Sequence, residues 1–209
     1  MSTVKSKKLQ VGTDATASNN FTIYQPASPD GTLRIGVGNA DSPTEVARVT
    51  SDGIADANGQ QLSNTPIVYV TKAATQSLSE ATNTTIQFDT ESIDTDNAFD
   101  TSTYKFTVPT GKAGIYQIQV DARLDSLSNT NLDLAIVAIY KNNVQIKRNY
   151  WTYTANYVRG ANPVVNMITN LAVGDTIEGV AYINTNNNGG GQMFAGTSQS
   201  SMYIQKLIG

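Results

Sequence analysis

Six carboxylates, Glu80, Asp89, Glu91, Asp94, Asp96 and Asp100, fall in a stretch with no Lys or Arg between Lys72 and Lys105. Clustered carboxylate oxygens are the donors a hard cation prefers, which makes Asp94, Asp96 and Asp100 the candidates for holding Ca²⁺. The Asp94-Thr95-Asp96 spacing lacks the glycine and closing glutamate of a calcium loop, so the stretch also reads as a solvated loop. No other cofactor is expected. Asp121, Asp125 and Asp133 have the residue type for glycoside hydrolysis, but nothing in the sequence fixes their separation. Tyr150, Trp151, Tyr153 and Tyr157 lie among Arg148 and Arg159. Aromatic faces stack on sugar rings and arginine anchors acidic groups. This makes Trp151, Tyr153, Tyr157, Arg148 and Arg159 the candidates for glycan contact, although alternate residues of such a run also pack into a core or a subunit interface. The Asn- and Gly-rich run Ile183 to Gly191 is an exposed recognition tip or a flexible loop, and it lacks the lysine and spacing of a phosphate loop. Lys5, Lys7 and Lys8 form a small basic arm for docking on an acidic particle surface, or a solvated terminus.

Composition narrows the field. The 209 residues include no Cys and no His, and the formal net charge is −3. Disulfides, thiolate nucleophiles and cysteine zinc sites are excluded, as are imidazole bases and the Ser-His-Asp triad. A small negative charge argues against a general nucleic-acid binder, and no apolar run approaches the roughly 18 residues of a membrane span, so no membrane insertion is expected. The basic start runs into Gly12 and Asp14 without an apolar core, unlike a secretory signal. An enzyme is not expected.

The elements that must position these groups read as strands. No apolar stripe of helical period exceeds two turns. In region one, residues 1–57, the extended pieces Phe21–Tyr24, Thr32–Val37 and Glu45–Thr50 are set apart by the turn signals Pro29-Asp30-Gly31 and Ser51-Asp52-Gly53. So few large apolar side chains make a poor core, and such a segment gains by burying its strands against other chains. A linker, residues 58–65, follows. Region two, residues 66–209, holds about ten strands: Ile67–Val70, Thr84–Phe88, Lys105–Val108, Gly114–Ala122, Leu132–Tyr140, Val144–Arg148, Asn149–Thr154, Val164–Ile168, Thr176–Ile183 and Ser201–Ile208. Tyr116, Ile118, Val120 and Ala122 alternate with Gln117, Gln119 and Asp121, and this spacing is that of a β-sandwich or jelly roll.

Within region two, Phe88-Asp89, Asn97, Phe99-Asp100, Phe106-Thr107-Val108-Pro109 and Gly114-Ile115-Tyr116-Gln117-Ile118 follow in order. They resemble the globular C1q pattern F-D, N, Y-D, F-T-x-P, G-x-Y-x-F. Ile139-Tyr140-Lys141-Asn142-Asn143, Leu171-Ala172-Val173-Gly174-Asp175-Thr176-Ile177 and Phe194-Ala195-Gly196 resemble later markers of that family. Ile118 departs by replacing an aromatic. The resemblance implies an all-β fold, a ten-stranded C1q/TNF-like jelly-roll sandwich that assembles as a homotrimer, with a short β-rich N-terminal region. Leu9–Thr13, Asn20–Ile23, Pro29–Gly38 and Val49–Gly53 resemble the N-terminal parts of bacteriophage fibre-like virion proteins. That resemblance implies an attachment arm and an intertwined stalk.

The expected function is that of a bacteriophage virion structural protein: a trimeric fibre or capsid-decoration protein on the virion surface, made in the host cytoplasm. Its N-terminal region would join a capsid or tail protein, and its head would adhere to a host-surface glycan. The alternatives are a cellular C1q/TNF-like adhesion module and, further off, a fibre-borne polysaccharide depolymerase.

Overall fold

The computed structural model describes residues 8–51, 53–59, 65–128, 131–154, 158–196 and 199–208. They fall into two compact units, one within Met1–Ser63 and the other within Asn64–Ile208. Lys5 and Lys7 of the basic arm, and Tyr157 of the aromatic run, lie outside the described residues.

The first unit is one antiparallel sheet of β1 (Lys8–Val11), β2 (Phe21–Tyr24), β3 (Leu33–Val37), β4 (Thr44–Thr50) and β5 (Gly53–Asp56), paired in chain order. Cross-strand partners share a face. The rows Leu9–Ile23–Ile35–Ala47, Val11–Phe21–Val37 and Leu33–Val49–Ile54 therefore make one face almost wholly apolar. Leu9, Val11, Phe21, Leu33 and Ile54 are each about half exposed there. The other face is sealed by polar side chains. Arg34 bridges Asp30 and Glu45, and Glu45 also meets Arg48. Beneath them Thr22 is buried, its hydroxyl donating to the Gly38 carbonyl. Lys8, the described residue of the basic arm, opens β1 opposite Tyr24.

The second unit is a two-layer sandwich with a small third sheet. Its longer strands are β6 (Ile67–Thr71), β9 (Thr90–Asp94), β12 (Gly114–Ala122), β14 (Leu132–Lys141), β15 (Val144–Thr152), β17 (Val164–Leu171), β18 (Thr176–Thr185) and β20 (Ser200–Ile208). The short ones are β7 (Gln76–Leu78), β8 (Thr84–Thr85), β10 (Phe99–Asp100), β11 (Lys105–Thr107), β13 (Leu124–Asp125), β16 (Gly160–Ala161) and β19 (Gly191–Met193). Sheet II runs β10-β11-β18-β14-β15, with β8 also on β18; sheet III runs β17-β12-β20-β6-β9; sheet IV runs β16-β13-β19-β7. Every pairing is antiparallel.

Inward residues of sheets II and III form the core. Tyr116, Ile118, Val120 and Ala122 of β12 are fully buried, as their alternation requires. Phe106 of sheet II meets Tyr116 of sheet III at 5.8 Å between ring centroids, tilted by 59°. The turn at Gly174-Asp175 is a corner that carries the chain from sheet III to sheet II. The Asp175 carboxylate accepts the Ala172 N–H at 2.7 Å and pairs with Lys141 at 2.7 Å.

Several expected strands shift at their ends, β17 running on to Leu171 and β18 to Thr185, and two change more deeply. The pieces foreseen at Val144–Arg148 and Asn149–Thr154 are one continuous strand, because β14 pairs with it from Lys141 back to Leu134. The strand foreseen over Thr84–Phe88 shrinks to Thr84–Thr85, since the Phe88 N–H turns back to the Ile86 carbonyl. The short strands of sheet IV were not foreseen. Pieces of two or three residues have no readable period, and only their neighbours make them strands.

Candidate functional site

The outward face of sheet III is defined by parity. If Tyr116, Ile118 and Val120 point inward, then Ile115, Gln117, Gln119 and Asp121 point outward. The paired rows extend that face across the sheet. Ile67, Gln205, Gln117 and Ile168 share one row, and Tyr69, Tyr203, Gln119 and Asn166 the next; Thr71, Ser201, Asp121 and Val164 form a third. Ile93 joins beside Tyr69. Ile168 is 64% exposed, and Ile115, Val164 and Ile93 are about 40–47% exposed. No Lys or Arg stands in these rows, and Asp121 is their one charged residue. Its carboxylate accepts a 2.6 Å bond from the Ser201 hydroxyl, yet burial still pushes its pKa above the usual carboxylate range. A wide sheet face that is apolar, amide-rich and nearly free of charge has the composition of an interface centre.

Beside it, β15 is an edge strand exposed along most of its length. Its residues divide by parity. Arg148 and Tyr150 pair with Ala138 and Ile136 on the outward side of sheet II, and the Arg148 guanidinium lies 5.5 Å from the Tyr150 ring centre. Trp151 pairs with buried Ala135 and so points to the other side, as does Asn149, whose amide donates to the Val164 carbonyl on β17. Tyr153 packs on the core, and burial raises its phenol pKa. Arg159 immediately precedes β16 of sheet IV, and its Nε meets Asp125 of β13 at 2.9 Å. The aromatic and basic run is thus spread over several surfaces.

The acidic stretch is occupied by its own loop. The Asp94 carboxylate accepts the backbone N–H groups of Phe99 at 2.8 Å, Ala98 at 3.0 Å and Asp96 at 3.4 Å. Asp96 pairs with Lys112 at 3.3 Å. Asp100 accepts from Ser102 and Thr103, and the Ser102 hydroxyl above all holds its pKa down at about 2. A cavity of about 530 Å³ opens beside Glu91, Asp96, Phe99 and Asp100. Among the described residues no group of three His, Cys, Asp or Glu is placed to hold a metal ion. Asp121, Asp125 and Asp133 stand on sheets III, IV and II, the first two held by the separate partners already named. The Gly-rich run after Ile183 is fastened by Glu80, whose carboxylate accepts from Thr185 N at 2.9 Å, the Thr185 hydroxyl at 2.7 Å and Gly190 N at 2.9 Å.

No family model and no curated protein matches the sequence. Solved structures do. The Eiger TNF of S. frugiperda superposes with a TM-score of 0.52 at 9% identity, over 69% of this chain and 94% of that one. Murine APRIL gives 0.51 at 10% identity, over 68% and 98%. The globular domain of zebrafish complement 1qA gives 0.48 at 12% identity, over 67% and 95%. The two superpositions above 0.5, on Eiger TNF and APRIL, show that the second unit has a TNF-like jelly-roll fold. The likeness spans nearly the whole of each neighbour, and at these identities it speaks to the fold.

Proposed function

We propose that the protein is a homotrimeric binding protein, a fibre or capsid-decoration component of a bacteriophage virion, whose jelly-roll head adheres to a host-surface glycan. The observation that carries the assembly is the outward face of sheet III. Exposed Ile115, Val164 and Ile168 with a single charge are costly in water, at about 25 cal/mol per Å² of apolar surface. Burial against further copies removes that cost, and the exposed edge strand β15 offers a second surface for the same contact. C1q/TNF-like heads provide the precedent for three-fold assembly.

The apolar face of the N-terminal sheet favours the same arrangement. Three copies packed face to face around an axis form a stalk, and the basic arm Lys5, Lys7 and Lys8 serves attachment to a capsid or tail protein. The virion role rests on the likeness of residues 9–53 to phage fibre-like proteins. In this reading the protein binds and does not catalyse, and three weak sites act together through avidity. In this reading Asp94 and Asp100 serve as caps of backbone amides and Asp96 as the partner of Lys112, and no Ca²⁺ is invoked.

Light scattering on the full chain tests the assembly. The expected mass is three times 22.3 kDa, and Ile168→Lys should reduce it to that of one chain. A wild-type monomer at micromolar concentration refutes the proposal. Adhesion is tested by binding of fluorescent protein to bacterial cells before and after periodate oxidation of their surface sugars, which should abolish it.

A further inference from the structure

Sheet IV carries, among the described residues, a buried guanidinium nitrogen with no hydrogen-bond partner, beside polar side chains open to solvent. Leu124 and Met193 are fully buried and point into the core. Their neighbours Arg123, Asp125, Gln192 and Phe194 therefore lie on the opposite face of the sheet, where Asp125 is buried under its pairing with Arg159. Asp125 pairs with Gln192, and Gln192 with Ser77, so these three share a row. Phe194 stands beside Arg123, its N–H bonded to the Arg123 carbonyl.

The Arg123 guanidinium is held in place without an acceptor. It lies 6.0 Å from the Phe194 ring centre on one side. On another side is Gly160, where a Cβ would stand 3.1 Å from both Nε and Nη2, so a glycine is what lets the guanidinium settle there. Its Nε is shut off from solvent and bonded to nothing. The nearby carboxylate, Asp125, is taken by Arg159. Ser77 is exposed and Gln192 half-exposed beside it, so both side chains are open to a ligand from solvent. An arginine fixed by packing rather than by a counter-ion has lost little freedom still to be lost on binding.

We propose that this face of sheet IV binds the carboxylate of an acidic saccharide. The terminal guanidinium nitrogens of Arg123, beyond the solvent-shielded Nε, form the charged bonds to the carboxylate, Gln192 and Ser77 take sugar hydroxyls, and the Phe194 ring covers the apolar edge of the sugar. The surface is distinct from the Arg148–Tyr150 patch on sheet II. The choice of a sugar as the source of the carboxylate rests on the adhesion reading above; the anion site itself does not.

Saturation-transfer NMR of the full chain with glucuronic acid, glucose, acetate and sulfate tests it, with melting curves confirming that each variant folds. Glucuronic acid should bind more tightly than the other three. Arg123→Gln should weaken it about tenfold, the loss of one charged hydrogen bond. Gln192→Ala should weaken it less, and Arg148→Gln should leave it unchanged. Equal binding by wild type and Arg123→Gln overturns the proposal. Acetate or sulfate binding as well as glucuronic acid overturns the saccharide assignment. A wild-type protein that adheres to cells but ignores glucuronic acid overturns this site and leaves the adhesion reading intact. Binding through Arg123 without adhesion to any cell overturns the adhesion reading alone.

Discussion

Replacing Asp94 by alanine separates the capping role of that carboxylate from a metal-binding one. Asp94 holds the Phe99 and Ala98 amides at 2.8 and 3.0 Å, with a longer contact to Asp96. Ala98 and Phe99 are 7% and 4% exposed, so water replaces the lost acceptor poorly. Asn97, just before them, sits at φ +50°, a conformation the cap helps to hold. A hydrogen bond to a charged group contributes about 1.5 kcal/mol or somewhat more. Two short ones lost, with partial rehydration, amount to ~2–3 kcal/mol. In a protein of this size each kcal/mol moves Tm by ~2–4 °C, so Asp94→Ala should melt roughly 5–10 °C lower. Asp94→Asn keeps one acceptor oxygen and should lose about half as much. Scanning calorimetry at one fixed protein concentration measures both, because an assembling protein has a concentration-dependent Tm. Neither CaCl₂ nor EDTA should move the wild-type transition. An unchanged Tm in Asp94→Ala, or a rise with added calcium, refutes the reasoning.

Further outcomes follow from the same geometry. Asp121→Asn should raise Tm at pH 7. Burial lifts the Asp121 pKa, so its full stability is present below the unfolded value near 3.8 and falls as pH rises through the folded value; the advantage of the variant should vanish at pH 3. Asp30 and Asp100 should titrate at about 2 in carboxyl-detected NMR, Asp30 chiefly because the Thr32 hydroxyl donates to it. What they contribute is present above pH 3.8 and lost as pH falls toward 2, and midpoints near 3.8 would contradict the loop contacts. Gly191→Ala would place a Cβ 2.4 Å from the Asp125 carbonyl and 2.5 Å from Ile183 Cδ1. It should cost ~2 kcal/mol by overpacking, read from the denaturation midpoint.

Much of the fold was legible because the long strands keep a strict period of two. Tyr116 through Ala122 declare their inward face in the sequence, and the order of markers from Phe88 to Ile118 points to the jelly roll. The same period separates Tyr150 from Trp151 onto opposite faces, a signal that was there to be used against a single aromatic patch. The capping work of Asp94 was not legible, since Asp-Thr-Asp looks the same whether its oxygens face a cation or the backbone two to five residues on. Nor was the group on sheet IV. Ser77, Arg123, Gly160 and Gln192 are far apart in the chain and meet only through strands of two or three residues, too short to show any pattern.

The N-terminal sheet has one face closed by the Asp30–Arg34–Glu45–Arg48 network and one face of half-exposed Leu, Val, Phe and Ile. A single layer of this kind has no interior of its own, so its persistence depends on whatever covers the apolar side. Dilution would then act on the two units unequally. A protease added to a nanomolar sample should cut within residues 8–56 first and leave the sandwich, with its core between two sheets, as the surviving fragment.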